Sequence, residues 1–288
     1  MSRYQRYDED CWWRVSGKDH NVYFSGNGVP EFFYSMADLT NYQSIIDTIK
    51  FTEPALSKEN WGKACAFIHQ STSLKSITFC KIGSDDRTTY NYLASVFSIS
   101  EHNICPSLCA IEIALPRKEL FRRRHLGIVI DFMKTHPNTV WSLDLGDTTL
   151  GDGCIGVITN AMNSGLRLRS LKLRGEFVSD NDVKSLLSTN SAKYLQEVDV
   201  SSNEMTRAGF EVLTSFLSGD NSIEKLDVRS RDRSDVEYSL LILQSISTNN
   251  NSPMQKVCLR KLCNQERNND EYKPFLKIPY RIVAGICI

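Results

Sequence analysis

An apolar frame of three residues, with the spacing of Leu195, Val198 and Val200, recurs along the chain and constrains its fold more than any other feature. Its starts are Ile46, Leu74, Leu108, Val140, Leu168, Leu195, Ile223 and Met254, separated by 28, 34, 32, 28, 27, 28 and 31 residues. The positions three and five residues after each start are Ile49 and Phe51, Ile77 and Phe79, Ile111 and Ile113, and Leu143 and Leu145. Then come Leu171 and Leu173, Val198 and Val200, Leu226 and Val228, and Val257 and Leu259. Hydrophobic residues make up 41% of the chain, so one such triplet carries little weight. Eight at near-constant intervals define a repeat.

Each frame alternates as a short strand does, and a helical pattern follows it. At +15, +18 and +22 from the start lie Trp61, Ala64 and Ile68, then Ile155, Ile158 and Met162, then Phe210, Leu213 and Leu217. The unit beginning at Leu168 supplies Val183 and Leu186 but has Asn190 at the last position. Two longer units keep a helical face through Tyr90, Leu93 and Phe97 and through Leu126, Ile130 and Met133. Position +10 is apolar at Leu56, Leu150, Val178 and Met205, where it covers the turn from strand to helix. One strand–helix unit buries little by itself, so the pattern makes sense as slices of a stack.

These residues resemble the leucine-rich repeats of the ribonuclease-inhibitor-like type, with the likeness spanning roughly residues 45–264. The asparagine of that family at +8 is present once, as Asn203; elsewhere the position holds Pro54, Ile82, Pro116, Thr148, Glu176, Arg231 and Leu262. The resemblance implies an α/β fold, a horseshoe solenoid of about eight βα repeats. Parallel strands need about 4.8 Å each and helices about 10 Å, so the strands line the concave face and the helices the convex one. Residues 1–44, rich in aromatics such as Trp12, Trp13, Tyr23 and Phe24, are expected to cap the first repeat, with a turn at Ser25–Gly28. Residues 265–288 are expected to form a second cap or a truncated further repeat.

The 34 basic and 34 acidic residues balance, which argues against bulk attraction to nucleic acid or to an anionic membrane. The first residues, MSRYQRYDEDCWWRV, lack the apolar core of an export signal. Nine cysteines, an odd number, then point to reduced thiols and a cytoplasmic or nuclear protein. Arg122, Arg123 and Arg124 read as a solvated helix surface. No phosphate-binding GxxxxGK loop and no GxSxG elbow occurs, and His102, Cys105 and Cys109 lack the second ligand pair of a zinc site. None of the five histidines stands in a catalytic setting, so neither an enzyme, a cofactor nor a metal is expected.

If strand side chains alternate, +2, +4 and +6 face the concavity, so the unit starting at Leu195 contributes Glu197, Asp199 and Ser201. The +4 column reads Lys50, Thr78, Glu112, Asp144, Lys172, Asp199, Asp227 and Cys258; the +6 column contains Arg174, Ser201, Arg229 and Arg260. Acids stand beside arginines, aromatic platforms for bases are missing, and Trp141 lies at the rim. The expected ligand is a protein or peptide bound by a monomer through Glu112, Trp141, Asp144, Lys172, Arg174, Asp199, Asp227 and Arg229. The expected function is a non-catalytic protein–protein interaction scaffold. The alternatives implied by the resemblance are a substrate-recognition subunit of a ubiquitin ligase, although residues 1–44 show no adaptor-binding helix pattern, and a small-GTPase activator.

Overall fold

The computed structural model describes residues 3–6, 12–15, 21–24, 46–51, 58–80, 85–97, 105–115, 120–175, 178–229, 236–249 and 251–259. Strands and helices alternate in an α/β fold whose sheets are built mainly of parallel strands. The chain divides into two compact units, Met1–Asp152 and Gly153–Ile288.

In the first unit, β1 (Arg3–Arg6) and β2 (Trp12–Val15) form an antiparallel ribbon. Strands β3 (Asn21–Phe24), β4 (Thr48–Phe51), β5 (Ser76–Phe79) and β6 (Ala110–Ile113) then pair in parallel. A two-residue strand β7 (Leu120–Phe121) follows, and β8 (Ser142–Asp144) pairs with β6. β9 (Thr149–Leu150) closes a small second ladder with β7. Ile49, Ile77, Ile111 and Leu143 are lateral neighbours, which is the register the apolar frame expects. Val22 of β3 stands beside Ile49, so the ladder begins one strand before the first frame read from sequence.

Helices α1 (Lys58–Gln70), α2 (Asp86–Phe97) and α3 (Arg123–Thr135) supply the other layer of the core. That core is aromatic. Phe51 stacks on Phe79 at 5.3 Å and 9°, Trp61 meets Phe51, Phe79 meets Phe97, and Phe97 meets Phe132 at 5.1 Å. All five side chains are buried, and aromatic pairs at such distances add stabilisation beyond their area. Leu93 and Phe97 keep the expected helical face, but Tyr90 does not: it is 37% exposed. Thr89, four residues before Leu93, takes the buried place in that turn, which leaves residue 90 at the edge of the face.

In the second unit, α4 (Cys154–Asn163), α5 (Asp180–Leu187), α6 (Arg207–Ser218) and α7 (Val236–Thr248) alternate with β10 (Ser170–Lys172), β11 (Glu197–Asp199), β12 (Lys225–Asp227) and β13 (Lys256–Cys258). A short 3-10 turn, Ala192–Tyr194, precedes β11. Leu171, Val198, Leu226 and Val257 are lateral neighbours. Ile155, Ile158, Met162, Val183, Leu186, Phe210, Leu213 and Leu217 are all buried, whereas Asn190, the break in the pattern, is exposed. Serine and threonine start α5 and α6: Ser179 and Asp182 form a reciprocal capping box, and Thr206 Oγ1 accepts from Ala208 N.

Position +8 shows why the turns can do without a run of asparagines. Asn203, buried, donates through Nδ2 to the carbonyls of Leu173 (2.8 Å) and Val200 (2.9 Å), and its Oδ1 accepts from Val178 N (3.0 Å). Thr148, also buried, donates to Ile113 O (2.6 Å) and accepts from Leu115 N (3.0 Å). Leu173 and Ile113 both occupy +5 of the preceding frame. A threonine hydroxyl, being donor and acceptor together, thus satisfies the same buried backbone carbonyl. Pro54, Ile82, Pro116, Glu176, Arg231 and Leu262 lie outside the described residues, as do Leu56, the turn at 25–28 and residues 265–288. Among the described residues no helix is long and apolar enough to cross a membrane.

Candidate interaction face

The strands bury one set of side chains and leave the alternate set partly open. In β4 and β6, Ile49, Phe51, Ile111 and Ile113 are buried, while Lys50 and Glu112 are half-exposed. In β11 and β12, Val198 and Leu226 are buried between half-exposed Asp199 and Asp227 and their neighbours. The candidate residues fall on this alternate set, divided between the units. Glu112, Trp141 and Asp144 belong to the first; Lys172, Arg174, Asp199, Asp227 and Arg229 belong to the second.

In the first unit Glu112 and Asp144 are paired across the ladder, with Thr78 beside Glu112. Thr78, 3% exposed, donates to Glu112 Oε2 at 2.9 Å and so fixes that carboxylate. Trp141 is half-buried, and its backbone N–H donates to Cys109 O at 3.1 Å just before β8 begins. In the second unit Lys172, Asp199, Asp227 and Cys258 form one lateral row. Lys172 Nζ lies 3.5 Å from Glu197, which also accepts from Ser170 Oγ at 3.3 Å. Glu197, at +2, thereby stands on the same face, as the alternation expects.

The three aspartates share a local task. Asp144 Oδ1 accepts from Gly146 N (2.9 Å), Asp199 Oδ1 from Ser201 N (2.9 Å), and Asp227 Oδ1 from Arg229 N (3.2 Å). Each bond turns the chain as it leaves a strand, as short polar side chains do when they bond the backbone two residues on. The +4 acids are therefore part of the turn as well as of the surface. An aspartate at +4 of the frames that start at Val140, Leu195 and Ile223 marks these three turns in the sequence.

The two candidate arginines differ. Arg229 folds back onto its own strand, with Nε 2.9 Å from Asp227 Oδ1 and Nη2 2.6 Å from Oδ2. Those bonds to Asp227 hold the guanidinium more firmly protonated than usual. Arg174 is exposed and precedes Gly175, whose φ of 151° belongs to the region that favours glycine. Ser201 and Gly146, both at +6, are buried, and Arg260 lies outside the described residues.

Burial favours the protonated form of three thiols of the first unit, Cys80, Cys105 and Cys109. Burial pushes Cys80 up, although Lys50 beside it acts in the opposite sense, and burial pushes Cys105 up to about 12. Cys109 is raised by the same cause, His102 lies outside the described residues, and no metal-binding group of His, Cys, Asp and Glu occurs among those described. His69 is half-buried with Nε2 3.0 Å from Val96 O, so it ties α1 to α2. In the second unit an open cavity of about 630 Å³ lies between α5 and α6, lined by Lys184, Leu187, Glu211, Val212 and Phe216 among others. It carries no nucleophile paired with a base. What the described surfaces offer is directional hydrogen bonding and charge.

Neither a scan against protein-family models nor a search of curated proteins finds a match to this chain.

Proposed function

We propose that the chain is a leucine-rich repeat protein of the ribonuclease-inhibitor-like type, a horseshoe with its strands on the concave side. In this reading it is a non-catalytic scaffold for protein–protein interaction, working as a monomer in the cytoplasm or nucleus. Its partner is a folded protein or a peptide held on the sheet face.

One observation supports this most. In β4, β6, β8, β10, β11 and β12 a half-exposed charged residue stands next to a buried apolar one, and neighbouring strands keep these in lateral register, as in the row Lys172, Asp199 and Asp227. Such a row costs little to keep in water and contributes little stability. Its use is complementarity, because ordered charges of both signs select a partner and fix its orientation. Lys172 and Arg174 supply the cations, Glu112, Asp144, Asp199 and Asp227 the acceptors, and Trp141 an aromatic edge. Arg229 contributes through its pair with Asp227.

Affinity purification followed by mass spectrometry identifies the partner, and charge reversal then tests the face. Arg174→Glu combined with Arg229→Glu is expected to abolish recovery while circular dichroism and the thermal midpoint stay near those of the wild type. Undiminished recovery by a folded double variant refutes the sheet face as the binding surface.

A further inference from the structure

The start of α3 carries a charge arrangement that opposes its own helix. Arg122 is the N-cap and Arg123 and Arg124 follow, all three exposed. A helix N-terminus holds about half a positive charge, so acids stabilise it and cations do not. Asp86, at the first turn of α2, answers part of this: Arg122 Nε lies 3.1 Å from its Oδ1, and Arg124 pairs with Oδ2. Neighbouring Asp85 is engaged by Thr88 through both its N–H and its hydroxyl. Two guanidinium groups share the Asp86 carboxylate, and exposed Arg123 and Arg87 stand beside them in the chain, so four arginines face two acids, Asp85 and Asp86, and positive charge is in excess.

The same neighbourhood holds both of the large apolar side chains that stand exposed among the described residues, Tyr90 at 37% and Leu120 at 42%. The Arg124 guanidinium lies over the Tyr90 ring at 5.4 Å. Leu120 adjoins buried Phe121 on β7, and glycine at 151 leaves it room, since a Cβ there would stand 3.4 Å from Leu120 Cγ. The His125 ring lies 6.3 Å from the Tyr90 ring and 5.4 Å from that of Phe121, the neighbour of Leu120 on β7. His125 is 1% exposed; its Nδ1 accepts from Arg122 N and its Nε2 donates to Asp86 O, both at 3.1 Å. The exposed groups therefore sit on a fixed base.

We propose that Tyr90, Leu120, Arg122, Arg123 and Arg124 form a docking surface for an acidic segment of a protein partner, one that carries an apolar side chain among its carboxylates. The carboxylates meet the excess charge and the helix end, and the apolar side chain covers Leu120 and Tyr90. Tyrosine and arginine are the residue types that most often anchor protein interfaces. A nucleic-acid backbone fits less well, because Leu120 offers no stacking surface and Asp85 and Asp86 repel a continuous row of phosphates. This surface lies on the helix side of the first unit and does not rest on the sheet-face reading.

The test uses the full chain and a fluorescent peptide of glutamates flanking a central leucine and phenylalanine, followed by anisotropy. Binding is expected to weaken as salt rises. It should weaken by about tenfold in Arg123→Glu and by a smaller factor in Leu120→Ser, and stay unchanged in Arg174→Glu of the second unit. Arg123→Gln serves where circular dichroism shows that Arg123→Glu perturbs the fold. Failure of the peptide to bind, or equal affinity in wild type, Arg123→Gln and Leu120→Ser, overturns the proposal. Equal or tighter binding of a single-stranded oligonucleotide of the same charge overturns it in favour of phosphate. Self-association lost in Leu120→Ser, seen by light scattering, overturns it in favour of a second copy of the chain.

Discussion

One helix in each of the two units starts with chemistry opposite to the other's. In the second, α5 opens with Ser179 and acids at residues 180 and 182, each carboxylate favoured by the helix end it sits on. Asp180 also reaches across to α6, accepting from Thr206 N at 2.9 Å and Thr206 Oγ1 at 2.5 Å. In the first, α3 opens with three arginines, and its first N–H finds an acceptor in a buried histidine. Local rules are obeyed in one place and broken in the other. Sites where a chain departs from its own local preferences are where function is best sought. The contrast extends to the interiors, aromatic in the first unit and largely aliphatic in the second. It extends also to titration, since all five histidines precede residue 153.

The comparison of interiors is tested with the largest effects. Phe79→Ala, at a fully buried ring that touches Phe51 and Phe97, should cost about 3–5 kcal/mol. Leu213→Ala in the second unit should cost about 2–5 kcal/mol. Denaturant midpoints check both, and a Phe79→Ala midpoint equal to wild type removes the stacked ring column as the support of the first unit.

The shared turn chemistry is tested next. Asn203→Ala leaves the buried carbonyl of Leu173 and N–H of Val178 without their partner, each worth about 1–3 kcal/mol. Thr148→Val strands Ile113 O and Leu115 N in the same way, while Thr148→Ser should retain most of the stability. If Thr148→Val proves as stable as wild type, the two positions are not equivalent despite their common place in the repeat.

A double-mutant cycle sharpens the helix-start contrast. A Cβ at Gly209 would collide with Asp180 Oδ1, so Gly209→Ala must displace the carboxylate that accepts from Thr206 N and Oγ1. Alone it should be neutral or destabilising, although alanine exceeds glycine by about 1 kcal/mol within a helix. In the Asp180→Ala background that gain should emerge. Equal effects in both backgrounds, measured by thermal unfolding, dispose of the coupling.

The smallest effect is the dependence on pH. Burial lowers the pKa of His125 and His69 below the ordinary value of about 6.5. Below that value the unfolded chain binds more protons than the folded one, so stability is full above about pH 6.5 and falls as the pH drops towards the folded values. Asn at position 125 keeps an acceptor for Arg122 N, so His125→Asn should flatten this acid slope in part. An unchanged slope, from denaturant midpoints across that range, assigns the titration elsewhere.

How much of this was legible beforehand varies by residue. The apolar frames located the strands from Thr48 to Cys258, the two-residue β7 and β9 apart, and the register within each unit, because period-two alternation and constant spacing are properties of the chain itself. The helical faces followed, except at Tyr90. Asn21–Phe24 escaped notice because no helical pattern at the same spacing follows it. The Asp residues at +4 were legible as surface charge but not as turn-forming groups, since a carboxylate reaching a backbone N–H two residues on depends on the φ and ψ adopted there.

The sequence by itself determined that strand and helix alternate, which residues enter the core, and that no recognised catalytic motif is present. Those are consequences of side-chain polarity and periodicity, which need no knowledge of contacts beyond one turn or one strand. The tertiary structure alone decided that Thr148 substitutes for asparagine, that Arg229 is held by Asp227, and that Asp86 gathers Arg122 and Arg124. Hydrogen bonds and ion pairs depend on distance and angle within a few tenths of an ångström. Residues 36 and 38 positions from Asp86 come into that range only when the chain has folded.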